Sequence, residues 1–143
     1  VTRRALPGGY ELDDDPARID GAEVHRFLSN ESYWARGRRR QVQDELLDSA
    51  ARVVGAYAED GTQVGFCRVV SDHHTIAYLA DVYVHAGHRG HGLGVELVRE
   101  AVDNGPLRAL RWLLFTADAH GLYRKLGFEE PPPNWAMQRE PIR

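Results

Sequence analysis

Apolar positions change their period several times along the chain, and each change outlines an element. Val24, Phe27 and Leu28 fall on one helical stripe behind Asp20 and Glu23, a pair with the form of a capping box. This predicts a first helix ending near Ser29 or Asn30. Val42, Leu46 and Leu47 make a second stripe that ends about Ser49. The runs 52–58 and 63–71 flank Asp60-Gly61, a pair that tolerates the positive φ angles of a tight hairpin turn. With 76–85 they predict three successive strands without a helix between them, an antiparallel meander. Val95, Val98, Ala101 and Val102 then recur at helical spacing until Asn104-Gly105-Pro106 stops them. The nearly all-apolar run 109–116 suits a strand buried on both faces. A short helix at about 119–126 ends at Gly127, and 135–139 makes a last strand. At the other end, residues 1–8 read as a loose arm leading to a short strand around 9–12.

Composition narrows the function. The 143 residues are 43% hydrophobic and 27% charged, the balance of one globular domain, so 1–143 is expected to be a single domain. Such a length buries roughly two thirds of its unfolded surface without help from a disulfide or a structural metal. A net charge of -3 gives no electrostatic reason to bind nucleic acid or an anionic membrane. The basic run Arg36, Arg38, Arg39, Arg40 is short and flanked by Glu31, Asp44 and Glu45, and reads as a solvated helix end. Cys67 is the only cysteine, which excludes an internal disulfide and fits a reducing compartment; the cytoplasm is the default expectation. No apolar run approaches a membrane span, and residues 1–9 lack the apolar core of a signal peptide.

The most informative stretch runs from Leu79 to Val98: a strand, a glycine-rich turn, then an amphipathic helix. Gly90, Gly92 and Gly94 let backbone approach an anion, while the unpaired first N–H groups of the helix and its dipole favour negative charge. Arg89 adds a cation. A dinucleotide fingerprint fails, because Val95 stands where its third glycine belongs, and a P-loop fails for want of Gly-Lys-Ser or Gly-Lys-Thr.

The spacing Arg89-x-x-Gly92-x-Gly94 resembles the pyrophosphate-binding signature of the GCN5-related N-acetyltransferase (GNAT) superfamily. The stretch Ala119-His-Gly-Leu-Tyr-Arg-Lys-Leu-Gly-Phe128 is similar to its second hallmark, and the order of elements matches over most of the chain. The resemblance implies an α/β GNAT fold: a mixed, mostly antiparallel sheet with helices on both faces and a V-shaped splay between two central parallel strands. It implies acetyl-CoA in that splay as co-substrate. Backbone groups of Val82, Tyr83 and Val84 would pair with the pantetheine arm, amides of Arg89, Gly90, His91, Gly92, Leu93 and Gly94 would take the pyrophosphate, and Asp118 would lie beside the cofactor.

Acetyl transfer to an amine needs a neutral amine, a polarised carbonyl and a proton for the departing thiolate. The resemblance assigns the proton to Tyr123, with core packing of its ring as the alternative. For the base, Asp81, Asp118, His85 and His120 stand near the strand ends. Alternation turns Asp81 to the face of Tyr83 and His85, where it serves catalysis or pairs with an arginine such as Arg68. Asp118 reads equally as the cap of the helix carrying Tyr123. His85, His88 and His91 do not share a helical face, so no metal is expected. The first helix-loop-helix would wall the acceptor side, with Ser29, Tyr33 and Trp34 as candidates that equally serve packing between the two helices. The expected activity is transfer to a primary amine, probed against two rivals: a coenzyme-A-binding regulatory or scaffold module, and a protein or peptide N-acetyltransferase. A homodimer is compatible with the resemblance.

Overall fold

A computed structural model describes residues 2–142. Six strands form one sheet in chain order: β1 (Arg3–Ala5), β2 (Glu11–Asp13), β3 (Arg52–Tyr57), β4 (Gln63–Ser71), β5 (Ile76–Val84) and β6 (Arg111–Leu113). All neighbours are antiparallel except β5 and β6, which run parallel. Helices α1 (Gly21–Glu31) and α2 (Arg40–Ser49) follow β2, α3 (Leu93–Val102) follows β5, and α4 (His120–Arg124) follows β6.

The two faces bury separate cores. On one, Leu93, Leu97, Val98 and Ala101 of α3 pack on Val54, Cys67 and Leu79, with Leu122 and Tyr123 of α4 at the margin. On the other, Val24, Phe27 and Leu28 of α1 pack on Val53, Phe66 and Tyr83, and Phe27 stacks on Tyr83 with ring centroids 3.9 Å apart. The α1 stripe is thus the stripe its sequence spacing predicts, and Asp20 caps the helix by accepting from the Glu23 N–H at 3.1 Å. Helices on both faces of a mixed, mostly antiparallel sheet make this an α/β fold, the architecture the sequence leads one to expect.

Three local expectations fail for physical reasons. The stretch 1–8 is not simply a loose arm: Arg3–Ala5 pairs with β2, and Arg4 reaches α3, where its Nε donates to Glu100 at 3.0 Å and its Nη1 to Glu96 at 3.1 Å. The apolar run 109–116 is not a strand buried on both faces. Only Arg111–Leu113 is strand, at the sheet edge, and Phe115 beyond it is 67% exposed. The segment 135–139 is exposed and pairs with nothing among the described residues. Prolines 131–133 before it carry no N–H to donate to a ladder, so β6 keeps an open outer edge instead of sitting centrally.

Two details of the sheet shape what lies above it. The β5–β6 ladder holds only from Ile76↔Arg111 to Tyr78↔Leu113, so β5 continues to Val84 with no partner on that side. In the β4–β5 ladder, Phe66 faces Tyr83 and Arg68 faces Ala80, so Cys67 stands opposite both Asp81 and Val82. This bulge shifts the side-chain phase by one, which lets Leu79, Val82 and Val84 all turn toward the α3 core while Tyr83 turns toward α1. Its extra residue, Asp81, has φ +56°, a left-handed conformation that aspartate adopts more readily than most residues.

Candidate active site

The glycine turn is open. Gly90 and Gly92 have φ +86° and +73°, and a Cβ placed on either would meet nothing within 4 Å. Gly94 is different: a Cβ there would lie 3.3 Å from Leu122 Cδ1, so its role is to let α4 pack close against α3. Gly92 caps α3 without a side-chain bond, and among the described residues no protein acceptor takes the amides of Gly90, His91, Gly92, Leu93 or Gly94. Five successive N–H groups without a protein acceptor therefore lie at or just before the positive end of a helix dipole. Arg89 is exposed and donates through Nε to the Val84 carbonyl at 3.0 Å, which leaves the ends of its guanidinium beside the same turn. His88 bonds Tyr10 at 2.9 Å and the His91 ring leans on the same tyrosine, whereas His85 lies against Glu23.

Two surface hollows, of about 420 and 460 Å³, lie away from this turn: one beside α2 and β3, the other bordered by Glu23, Gln63 and His85. The glycine turn lies at the surface, with Gly90, His91 and Gly92 exposed, which suits an elongated anionic ligand lying along it.

From that turn, β5 leads back to the bulge through Val84, Tyr83 and Val82, a stretch with no β6 partner, where the Val84 carbonyl is held by Arg89. Tyr83 itself is buried in the α1 core, and its backbone is registered opposite Phe66 of β4. Across the gap stands α4. The ring of Tyr123 sits edge-on to Phe128 at 5.9 Å, and its hydroxyl has no partner among the described residues and is not sealed from solvent. Burial, followed by the nearby Cys67, Tyr33 and Asp118, pushes that hydroxyl up to about 12, so it keeps its proton throughout the physiological range. Asp118 is exposed and does not cap α4. The helix has no side-chain cap, and Thr116 Oγ1 accepts from the amides of Asp118 at 3.4 Å and Ala119 at 3.1 Å in the turn ahead of it.

The loop between α1 and α2 closes the other side. Trp34 Nε1 donates to Asp81 Oδ1 at 2.9 Å, and the Tyr33 hydroxyl accepts from the Ala117 N–H at 2.9 Å, so the loop touches both splayed strands' surroundings. Asp81 Oδ2 accepts from Arg38 Nη1 and Arg68 Nε, each at 2.9 Å. Although burial alone would raise the Asp81 carboxyl, the Arg38 and Arg68 guanidiniums hold it below its ordinary value. A carboxylate so fully engaged is a poor proton acceptor. Ser29 lies apart from this constellation: its hydroxyl donates to the His25 carbonyl at 2.6 Å within α1. His85 is taken up by Glu23, which Arg26 also holds.

Sequence reasoning missed Arg38. The basic run reads as a solvated helix end, and three of its members are, but Arg38 turns inward across the loop to a strand 43 positions away. Helical periodicity carries no signal for that, because Arg38 precedes α2.

A short parallel strand pair parts beside a bulge, and a turn of amides without protein acceptors stands at the start of the next helix. Comparisons give the family. Residues 49–130 match the family model described as an acetyltransferase (GNAT) domain. A crystal structure of a GNAT-family protein from Xanthomonas campestris pv. campestris is 36% identical, with a TM-score of 0.85 and coverage of 92% of each chain. One from Deinococcus radiodurans R1 is 26% identical, with a TM-score of 0.73, covering 98% of this chain and 93% of that one. A Gibberella zeae protein assigned as an acetyltransferase is 25% identical over 146 residues, 86% of this chain and 81% of the relative. The chain belongs to the GNAT acetyltransferase family, and acyl transfer is its class of chemistry.

Proposed function

We propose that the protein is an acetyl-CoA-dependent N-acetyltransferase that acts on the primary amine of a small molecule by direct attack within a ternary complex. The observation that carries this reading is the cradle of unpartnered amides from Gly90 to Gly94 beside a splayed strand edge. Those amides and Arg89 would hold the coenzyme's diphosphate, and the β5 edge from Val82 to Val84 would align its pantetheine arm as an added strand. The bound coenzyme supplies an activated acetyl thioester.

The remaining work falls to the chain's own residues. The N–H groups next to the Asp81 bulge polarise the acyl oxygen. Tyr123, on the opposite wall, supplies a proton to the sulfur as the carbon–sulfur bond breaks and the carbon–nitrogen bond forms. The amine's surplus proton leaves to solvent or through an exposed group such as Asp118 or His120. Asp81 acts as a positioning residue, because its carboxylate is committed to Trp34, Arg38 and Arg68.

Release of free thiol from acetyl-CoA with a panel of amines tests the reading. Turnover with small amines and not with peptides supports it. Turnover only with peptides favours a protein N-acetyltransferase, and tight acetyl-CoA binding without turnover favours a binding module. Cytoplasmic residence is part of the same proposal; among the described residues no helix is long and apolar enough to cross a membrane.

A further inference from the structure

Arg68 sits on β4, on the sheet face that α1 and α2 cover, yet its side chain is not used up there. The residue is 9% exposed, and only its Nε has a protein partner among the described residues, Asp81 Oδ2 at 2.9 Å. Its two Nη groups have no acceptor and are not among the sealed, unpaired polar atoms, so both reach open space. A guanidinium fixed at Nε with both Nη groups accessible is poised to bind a planar anion there.

The charge count agrees. Arg38 and Arg68 share the single carboxylate of Asp81, which leaves one positive charge in excess beside the bulge. That excess lowers the affinity of the spot for an ammonium and favours the neutral amine that transfer requires.

Beyond Arg68 the same face lies uncovered. Val70 is 46% exposed and Ile76 38%, and Tyr78, which pairs with Val70, has its ring 6.0 Å from that of Phe115. Trp34 and Tyr33 stand at the rim with their rings 4.9 Å apart. An apolar, largely aromatic strip therefore starts at a cation and ends in solvent.

We infer that the acceptor is an amino-carboxylate with an apolar or aromatic side chain: the Arg68 Nη groups take its carboxylate, and Tyr78, Phe115 and Trp34 cover its side chain. A bidentate guanidinium–carboxylate pair fixes both distance and plane, so the amine on the neighbouring carbon is held next to the bulge. Inference and transfer reading are linked, since the first names the substrate class of the second.

Phenylalanine and phenethylamine differ only in the carboxylate, and their dissociation constants can be compared by calorimetry on the intact chain, with acetyl-CoA binding and thiol release measured separately. The expected result is at least tenfold tighter binding of phenylalanine, a preference that collapses toward parity in Arg68→Gln and partly returns in Arg68→Lys. Equal affinity for the two compounds, tighter binding of phenethylamine, or no binding of either overturns the inference, even where acetyl-CoA binds and other amines are acetylated. Failure to bind acetyl-CoA, with the carboxylate preference intact, would instead remove the transfer reading and leave the anion anchor standing.

Discussion

The indole N–H of Trp34 donates to the carboxylate of Asp81 at 2.9 Å across 47 positions of sequence, joining the loop that walls the acceptor side to the bulge in β5. Because Asp81 holds a left-handed backbone at that bulge, the bond ties the loop to the strand segment whose N–H groups face the splay. Under the proposed transfer, acceptor-side structure and carbonyl polarisation would both be built on one carboxylate.

Removing that carboxylate should unsettle both. Asp81→Ala leaves Arg38 and Arg68 as uncompensated, mostly buried cations, a change that costs about 3–5 kcal/mol in comparable buried pairs. Asp81→Asn tolerates the same backbone and keeps the acceptor for Trp34, so it should lose less stability. Urea denaturation of the two variants checks the order.

The same carboxylate predicts a pH signature. Its folded-state value is depressed by the two guanidiniums, so its contribution to stability is fully present above the ordinary aspartate value of about 3.9 and is lost as pH falls through the lower folded value. Asp81→Asn should flatten that acid limb. Denaturation midpoints measured between neutral pH and strong acid read the difference.

Tyr123→Phe should lower kcat at least tenfold and leave acetyl-CoA affinity nearly unchanged, because the hydroxyl has no structural partner to lose. Steady-state rates alongside calorimetry separate the two effects. Unchanged kcat would take the proton-donor role away from Tyr123.

Glu100 is a stability site of another kind. It is 2% exposed inside α3, accepts from Arg4 Nε at 3.0 Å and Asn104 Nδ2 at 2.8 Å, and lies 3.6 Å from Arg52. Glu100→Ala should cost about 3–5 kcal/mol and free the β1 segment, which limited proteolysis near the N-terminus would detect.

Much of the fold was legible because the periods of its apolar residues match the faces they bury. The α1 stripe, the Asp60-Gly61 hairpin and the meander through β5 all follow from local pattern. The ends were not legible. Arg3–Ala5 carries no apolar alternation and is fixed by Arg4 reaching carboxylates 92 and 96 positions away, a tertiary cause invisible in its own sequence. The β6 region looked buried by composition alone, yet burial there needs a neighbouring strand that 135–139 does not form. At the site, the glycine spacing marked the turn, and alternation put Asp81 on the face of Tyr83. The same alternation would put Leu79 there too, but the bulge resets the phase and turns Leu79 to the α3 core, and alternation cannot foresee an extra residue.

The amide cradle from Gly90 to Gly94 is the centre of the account, and isothermal calorimetry with acetyl-CoA and with S-acetyl-pantetheine, which lacks the diphosphate, tests it directly. Acetyl-CoA should bind at least a hundredfold more tightly, and Gly92→Ala, which strains a backbone at φ +73° without filling the open space, should erase much of that advantage. Equal affinity for the two compounds, or no binding of acetyl-CoA, would contradict it.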